Sequence, residues 1–312
     1  MISARFLLSS LAGLALLSAS SLAQQAPAAS GVPVQMVVTA EARRGAEVPA
    51  IAKQDVMVYQ GRNRDQVTGW TPAQGENAGL EFFILLDDGS SMSLGTQLED
   101  IRKFILDQPS STEIGVAYMR NGAARIEQNL TSDHALAAKA LRLPLGIRGV
   151  DASPYFSLSD LVKHWPQGGS RREVLMVSDG IDFYYGSGDL LDPYLAAAIE
   201  DAQRAGVLVS AIYNPGAGHF GHDYWRTYWG QIYLSKVADA TGGEAYYIGL
   251  SGPPVAFAPY LSDLAGRLKN QYVLRFLARP QKKAGLQPVR VTTEATDVDL
   301  VSADRVYVPA AP

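Results

Sequence analysis

The sequence predicts an α/β protein: a Rossmann-like, doubly wound, mostly parallel sheet with one antiparallel edge strand, plus small β segments from both termini. Three observations predict it. Strands and helices alternate from Leu80 to about Leu268, the signature of a parallel α/β sheet. The run Phe82-Phe83-Ile84-Leu85-Leu86 is apolar without alternation, which reads as a strand buried on both faces. The pair Asn121-Gly122 joins two strand candidates, a hairpin signal that makes the second of them antiparallel.

The N-terminus stands apart from the fold. Arg5 precedes an apolar core from Phe6 to Leu17, and Ser21-Leu22-Ala23 fits a small-x-small cleavage site. Residues 1–23 therefore read as a secretory signal peptide. The competing reading is an uncleaved membrane anchor, for which the apolar stretch is short. Residues 24–31 read as a disordered lead-in. An N-terminal β flank spans 32–78, with strand candidates at Val34–Thr39, Val56–Tyr59 and Gln66–Trp70, and is expected to form a small antiparallel flap.

The α/β unit spans 79–270. Its elements are strand Glu81–Asp87, helix Thr96–Leu106, strands Glu113–Met119 and Arg125–Asn129, and helix Ser132–Arg142 with Ser132 as its cap. Helix Phe156–His164 and strand Glu173–Ser178 follow. Helix Pro193–Ala205 opens on Asp192 and Pro193 and stops at Gly206. Strand Val207–Tyr213, helix Thr227–Thr241, strand Glu244–Ile248 and helix Val255–Asn270 close the unit. The C-terminal flank, 271–312, returns to β, with strands expected at Tyr272–Phe276, Pro288–Thr293, Val298–Leu300 and Arg305–Val308. The two flanks are expected to pack together against the sheet's edge or base.

Composition narrows the function. Net charge is −4 with no basic block, so nothing supplies the clustered cationic face of a nucleic-acid binder. The chain has no cysteine, which removes disulfides, thiolate metal sites and cysteine nucleophiles. A cysteine-free exported chain suits a bacterial periplasm or exterior. After signal cleavage no membrane segment is expected.

The chemistry concentrates at one strand end. Asp87-Asp88-Gly89-Ser90-Ser91 follows the apolar run directly, at the carboxyl end where open α/β sheets place their sites. Carboxylates and hydroxyls there make an oxygen-rich nest suited to a hard cation such as Mg²⁺. Two further loops, Gly149-Val150-Asp151-Ala152-Ser153-Pro154 and Ser178-Asp179-Gly180, are placed to join it. Asp182, Asp189 and Asp192 read mostly as solvated loop and cap residues.

These three loops resemble the metal-ion-dependent adhesion site of von Willebrand factor A (VWA) domains. The likeness covers roughly Leu80–Leu268, and the flanks resemble a secreted bacterial subgroup common in acidobacteria. The resemblance implies a VWA fold and a metal set of Asp87, Ser91, Ser153 and Asp179. In the family the first aspartate holds metal-bound water, the second serine is a direct ligand, and Ser153 stands where threonine is usual. Gly89 departs from the pattern by replacing the first serine, so one hydroxyl ligand is missing. The implied ion is Mg²⁺, with Mn²⁺ or Ca²⁺ as alternatives. An Asp or Glu carboxylate of a protein partner would complete its shell. Asp88, Ser90, Asp151, Tyr224 and Trp225 are the candidate partner contacts. The opposing reading is a degenerate site, with Asp87 and Asp179 kept as loop-capping groups and no cation.

Two other readings stand beside this non-enzymatic, protein-binding one. A metal-independent scaffold would bind through the Tyr- and Trp-rich loop 213–233. An exported hydrolase would use the serine cluster around Ser91, with His134 or His164, or the acidic cluster, but Gly-x-Ser-x-Gly is absent. His219-x-x-His222-Asp223 has transition-metal spacing but no evident fourth ligand.

Overall fold

The computed structural model describes residues 31–43, 47–147, 149, 153–166, 168–186, 192–216, 224–249 and 254–310. The signal-peptide reading, Asp151, Asp189 and the His219–Asp223 cluster lie outside the described residues. In chain order the elements are β1 (Val32–Ala42), β2 (Val56–Gln60), β3 (Asn63–Pro72), β4 (Leu80–Asp87), α1 (Leu98–Leu106), β5 (Thr112–Arg120) and β6 (Ala123–Thr131). Next come α2 (His134–Lys139), α3 (Pro154–Lys163), β7 (Arg171–Ser178), α4 (Pro193–Ala205), β8 (Val207–Tyr213), α5 (Tyr224–Thr241), β9 (Ala245–Tyr246) and α6 (Ala258–Lys269). The chain closes with β10 (Gln271–Ala278), β11 (Gly285–Pro288), β12 (Arg290–Thr293), β13 (Val298–Ser302) and β14 (Arg305–Val308).

Six of the described strands form the central sheet in the order β6-β5-β4-β7-β8-β9. β4, β5, β7, β8 and β9 run parallel; β6 pairs antiparallel with β5 at one edge. The turn between β5 and β6 uses Asn121 at φ 52° and Gly122 at φ 64°, the left-handed pair a two-residue hairpin needs. Every residue of β4 is buried. Phe82, Ile84 and Leu86 pack on one face with α1 and α6, while Phe83 and Leu85 pack on the other with α3, α4 and α5. A period of two therefore serves two cores at once, which is why the strand reads as uniformly apolar.

Several boundaries shift for local reasons. A 3-10 turn at Met92–Thr96 delays α1 to Leu98. α2 is shorter than predicted because Asp133, not Ser132, caps it: its Oδ1 accepts the Leu136 amide at 3.0 Å. α5 begins at Tyr224, three residues before its predicted start, so Tyr224 and Trp225 are helical. β9 keeps only two residues.

The flanks make more than a small flap. They interleave into a second six-stranded sheet of order β12-β2-β3-β10-β1-β13, in which β10 lies between β3 and β1. This sheet buries its own cluster, including Val38, Val58, Leu274, Phe276 and Val298. The single strand expected at Pro288–Thr293 is split. Gly285–Pro288 pairs with β14 and Arg290–Thr293 with β2. The break falls at Val289, whose amide turns aside to Asp304 O at 2.9 Å.

Candidate functional site

The parallel register sets Leu86 of β4 beside Val177 of β7, so Asp87 and Ser178 end neighbouring strands. Ser178 Oγ donates to Asp87 Oδ2 at 2.9 Å, and the Gly89 amide donates to Oδ1 at 2.7 Å. Asp179, the next residue, is 1 % exposed, and its Oδ1 accepts the Ile181 amide at 3.0 Å. α3 is locked to the same loop, because the buried Tyr155 hydroxyl donates to Gly180 O at 2.8 Å. Burial, reinforced by the carboxylates of Asp182, Asp192 and Asp179, holds the Tyr155 phenol well above its ordinary pKa, so it stays a proton donor.

Ser153 stands at the start of α3, yet its hydroxyl caps nothing there. It donates instead to Asp182 Oδ2 at 2.8 Å. Asp182 is buried rather than solvated, and its Oδ1 accepts the Tyr184 and Tyr185 amides at 2.8 and 2.9 Å. Its carboxyl pKa is raised, burial being the main cause. Asp192 caps α4 through the Tyr194 and Leu195 amides. Ser91 Oγ, partly exposed, accepts the Ser93 amide at 3.3 Å.

Two expected partner contacts are corrected. Asp88 is 0 % exposed and takes both terminal nitrogens of Arg142, at 2.6 and 3.0 Å. Arg142 in turn lies 3.7 Å over the Tyr118 ring. The Asp88 carboxylate and carbonyl also accept the Leu145 and Ile147 amides. This pair therefore ties the α2–α3 loop to the end of β4 instead of facing a partner. Ser90 is also 0 % exposed, held by a bridge to Gly216.

Among the described residues several acceptors at this edge are orphaned, Asp192 Oδ2 being one. Ser90 Oγ and Asn214 Oδ1 are buried without a hydrogen-bond partner. Each residue is one backbone bond from the Asp87–Ser178 pair: Ser90 N donates to Asp87 O, and Asn214 N to Ser178 O. Orphaned oxygens beside a carboxylate fit a hydrated hard cation, which takes oxygen ligands and keeps several waters. A hydroxyl that donates its proton also keeps lone pairs for a ligand, so Ser153 remains competent. Gly89 offers no side-chain oxygen. Among the described residues no group of three or more His, Cys, Asp or Glu is gathered to hold a metal. Asn214 and Arg142 are residues that sequence reasoning missed; it places Ser178 in the third loop without a role. Asn214 follows an apolar strand just as Asp87 does, and the same rule would have found it.

Around this polar centre the surface is apolar. Met92 opens the 3-10 turn after β4, and Leu145 and Ile147 lie on the loop that Asp88 holds; all are exposed. Tyr184, on the loop after β7, is half exposed. Tyr224 and Trp225, in the first turn of α5, are 76 % and 66 % exposed. α5 sits against the Asp179 loop by backbone contact. A Cβ on Gly230 would lie 2.3 Å from Asp179 O, and one on Gly180 would lie 2.2 Å from Gly230 O.

No family model and no curated protein matches this chain. Among solved structures it is similar to an aerotolerance-related membrane protein from Bacteroides fragilis NCTC 9343 carrying multiple mutations to serines. That match has 17 % identity and a TM-score of 0.44 over 61 % of this chain and 98 % of the other. It is also similar to the SpRpn10 VWA domain, at 15 % identity and a TM-score of 0.36 over 59 % and 93 %. At these scores neither likeness bears on the site. The central sheet and its strand order make this a mostly parallel α/β unit with one antiparallel edge strand.

Proposed function

We propose that this chain is an exported, non-catalytic protein-interaction module that binds its partner at the carboxyl edge of the central sheet. The carrying observation is the edge itself: a buried oxygen centre ringed by exposed Met92, Leu145, Ile147, Tyr184, Tyr224 and Trp225. Exposed apolar and aromatic side chains gathered around a polar centre mark a contact surface.

The finer reading places a divalent cation there, Mg²⁺ first, with Mn²⁺ and Ca²⁺ as alternatives. Ser91 and Ser153 would hold it directly, and Asp87 and Asp179 through water. Bound, it would supply an exchangeable position for a partner's Asp or Glu. Ser178 and the Gly89 amide orient Asp87 for this, and Asp182 orients Ser153. A binding role also suits the described histidines. His134 Nε2 is bonded to Thr112 O, at the opposite end of the sheet from Ser91, and His164 to Asp160. Export rests on the leader-like residues 1–23.

Calorimetry with Mg²⁺ and Mn²⁺ tests the cation. Wild type should release or absorb heat saturably, Asp179→Ala should not, and Gly89→Ser should bind more tightly. Absence of heat in wild type removes the cation from the proposal.

A further inference from the structure

The opposite end of the same sheet carries a second feature. A cavity of about 760 Å³ opens between α1, α6 and the β3–β4 connection. Its walls are Leu80, Phe104, Leu261, Ala265 and Leu268, with Arg171 among the lining residues. The volume and the mostly apolar lining are those of a small-molecule site, in which one or two polar groups set orientation.

Arg171 is the buried one among the charged residues of the lining, which also include Asp100, Lys103, Asp107 and Lys269. It is 9 % exposed at the first position of β7. Its terminal nitrogens donate to Leu268 O at 3.3 Å, to Ala78 O at 3.0 Å and to the Gln271 side chain. Its Nε–H is buried and has no acceptor, so the guanidinium keeps a donor still to place. The carboxylates nearby are engaged elsewhere. Asp107 pairs with Lys103 at 2.7 Å, and Asp100 accepts the Phe257 and Ala258 amides. Glu173 is bridged to Arg171 by the Gln271 amide and attracts it electrostatically, without reaching its Nε–H.

We infer that this cavity binds an elongated apolar molecule ending in a carboxylate, with the chain between α1 and α6 and the head group toward Arg171. A guanidinium with a spare donor favours an anionic acceptor over a neutral or cationic one. The site is independent of the carboxyl edge.

Calorimetry and amide chemical-shift mapping test it on the whole chain, using three probes of equal length: decanoate, decanol and decyltrimethylammonium. Decanoate should bind saturably, at least ten-fold more tightly than either of the others, and should shift the amides of Phe104, Leu261 and Ala265. Ala265→Trp, which fills the cavity, should abolish binding. Arg171→Met should weaken decanoate at least five-fold and leave decanol unchanged. Ala265→Trp and the head-group comparison decide the matter if Arg171→Met does not fold. Lack of decanoate binding, equal binding of decanol or decyltrimethylammonium, or undiminished binding by Ala265→Trp would overturn the assignment.

Discussion

The two ends of the central strands are chemical opposites. At the carboxyl ends of β4, β7 and β8 the chain buries oxygen atoms and binds most of them internally: Asp87 to Ser178, Asp88 to Arg142, Ser153 to Asp182. At the amino ends of β4, β5 and β7 the chain leaves an apolar hollow bordered by one guanidinium. Interdigitated side chains fill the strands between. Loops and flanking helices together distinguish the ends, and each is proposed to take a different kind of ligand: a protein surface above, a small amphipathic molecule below.

The largest expected effect tests how the upper edge is held. Arg142→Ala strands the Asp88 carboxylate in a site with no exposure, and should cost on the order of 3–5 kcal/mol in urea unfolding. Arg142→Lys should recover only part, because the two-pronged geometry is lost. A cost below about 1 kcal/mol would mean that the pair does not hold the α2–α3 loop.

A second test probes the junction below. Burial, only partly offset by Gln271 and Arg171, raises the Glu173 carboxyl to about 7 from its ordinary 4.5. The folded state then binds a proton that the unfolded state releases between these two values. Stability should therefore be highest below pH 4.5 for this group and should fall as pH rises through 7, by about 3 kcal/mol in all. Glu173→Gln should remove that slope and stabilise the protein at pH 8, as measured by unfolding at a series of pH values. An unchanged slope would place the titration elsewhere.

Gly230→Ala comes next. Its new methyl must push α5 off the Asp179 loop, at an expected cost of about 1–3 kcal/mol in thermal unfolding. Trp225→Ala should be smallest in stability, within about 0.5 kcal/mol, because the ring is largely exposed. It should nonetheless weaken partner binding, which separates a contact residue from a structural one.

What the sequence made legible was local. The Phe82–Leu86 run, the Asn121-Gly122 turn and α4 between Asp192 and Gly206 each carry their signal within a few residues. The oxygen-rich edge was visible for the same reason. Non-local choices were not. Nothing near Asp87-Asp88 tells that Asp88 is buried in an ion pair, because its partner is Arg142, 54 residues on. The insertion of β10 between β3 and β1 depends on pairings such as Val38 with Tyr272, which no short window contains. The amino-end cavity is likewise assembled from separate stretches of chain, so it had no motif to read.

Site-specific photo-crosslinking in cells that make the protein tests the central claim most directly. A photoreactive residue would be placed at Leu145 on the carboxyl edge in one variant and at Gln108, beside the amino-end cavity, in another. The account predicts a discrete protein adduct from Leu145, lost when Trp225→Ala is added, and none from Gln108. A protein adduct from Gln108 alone would contradict it.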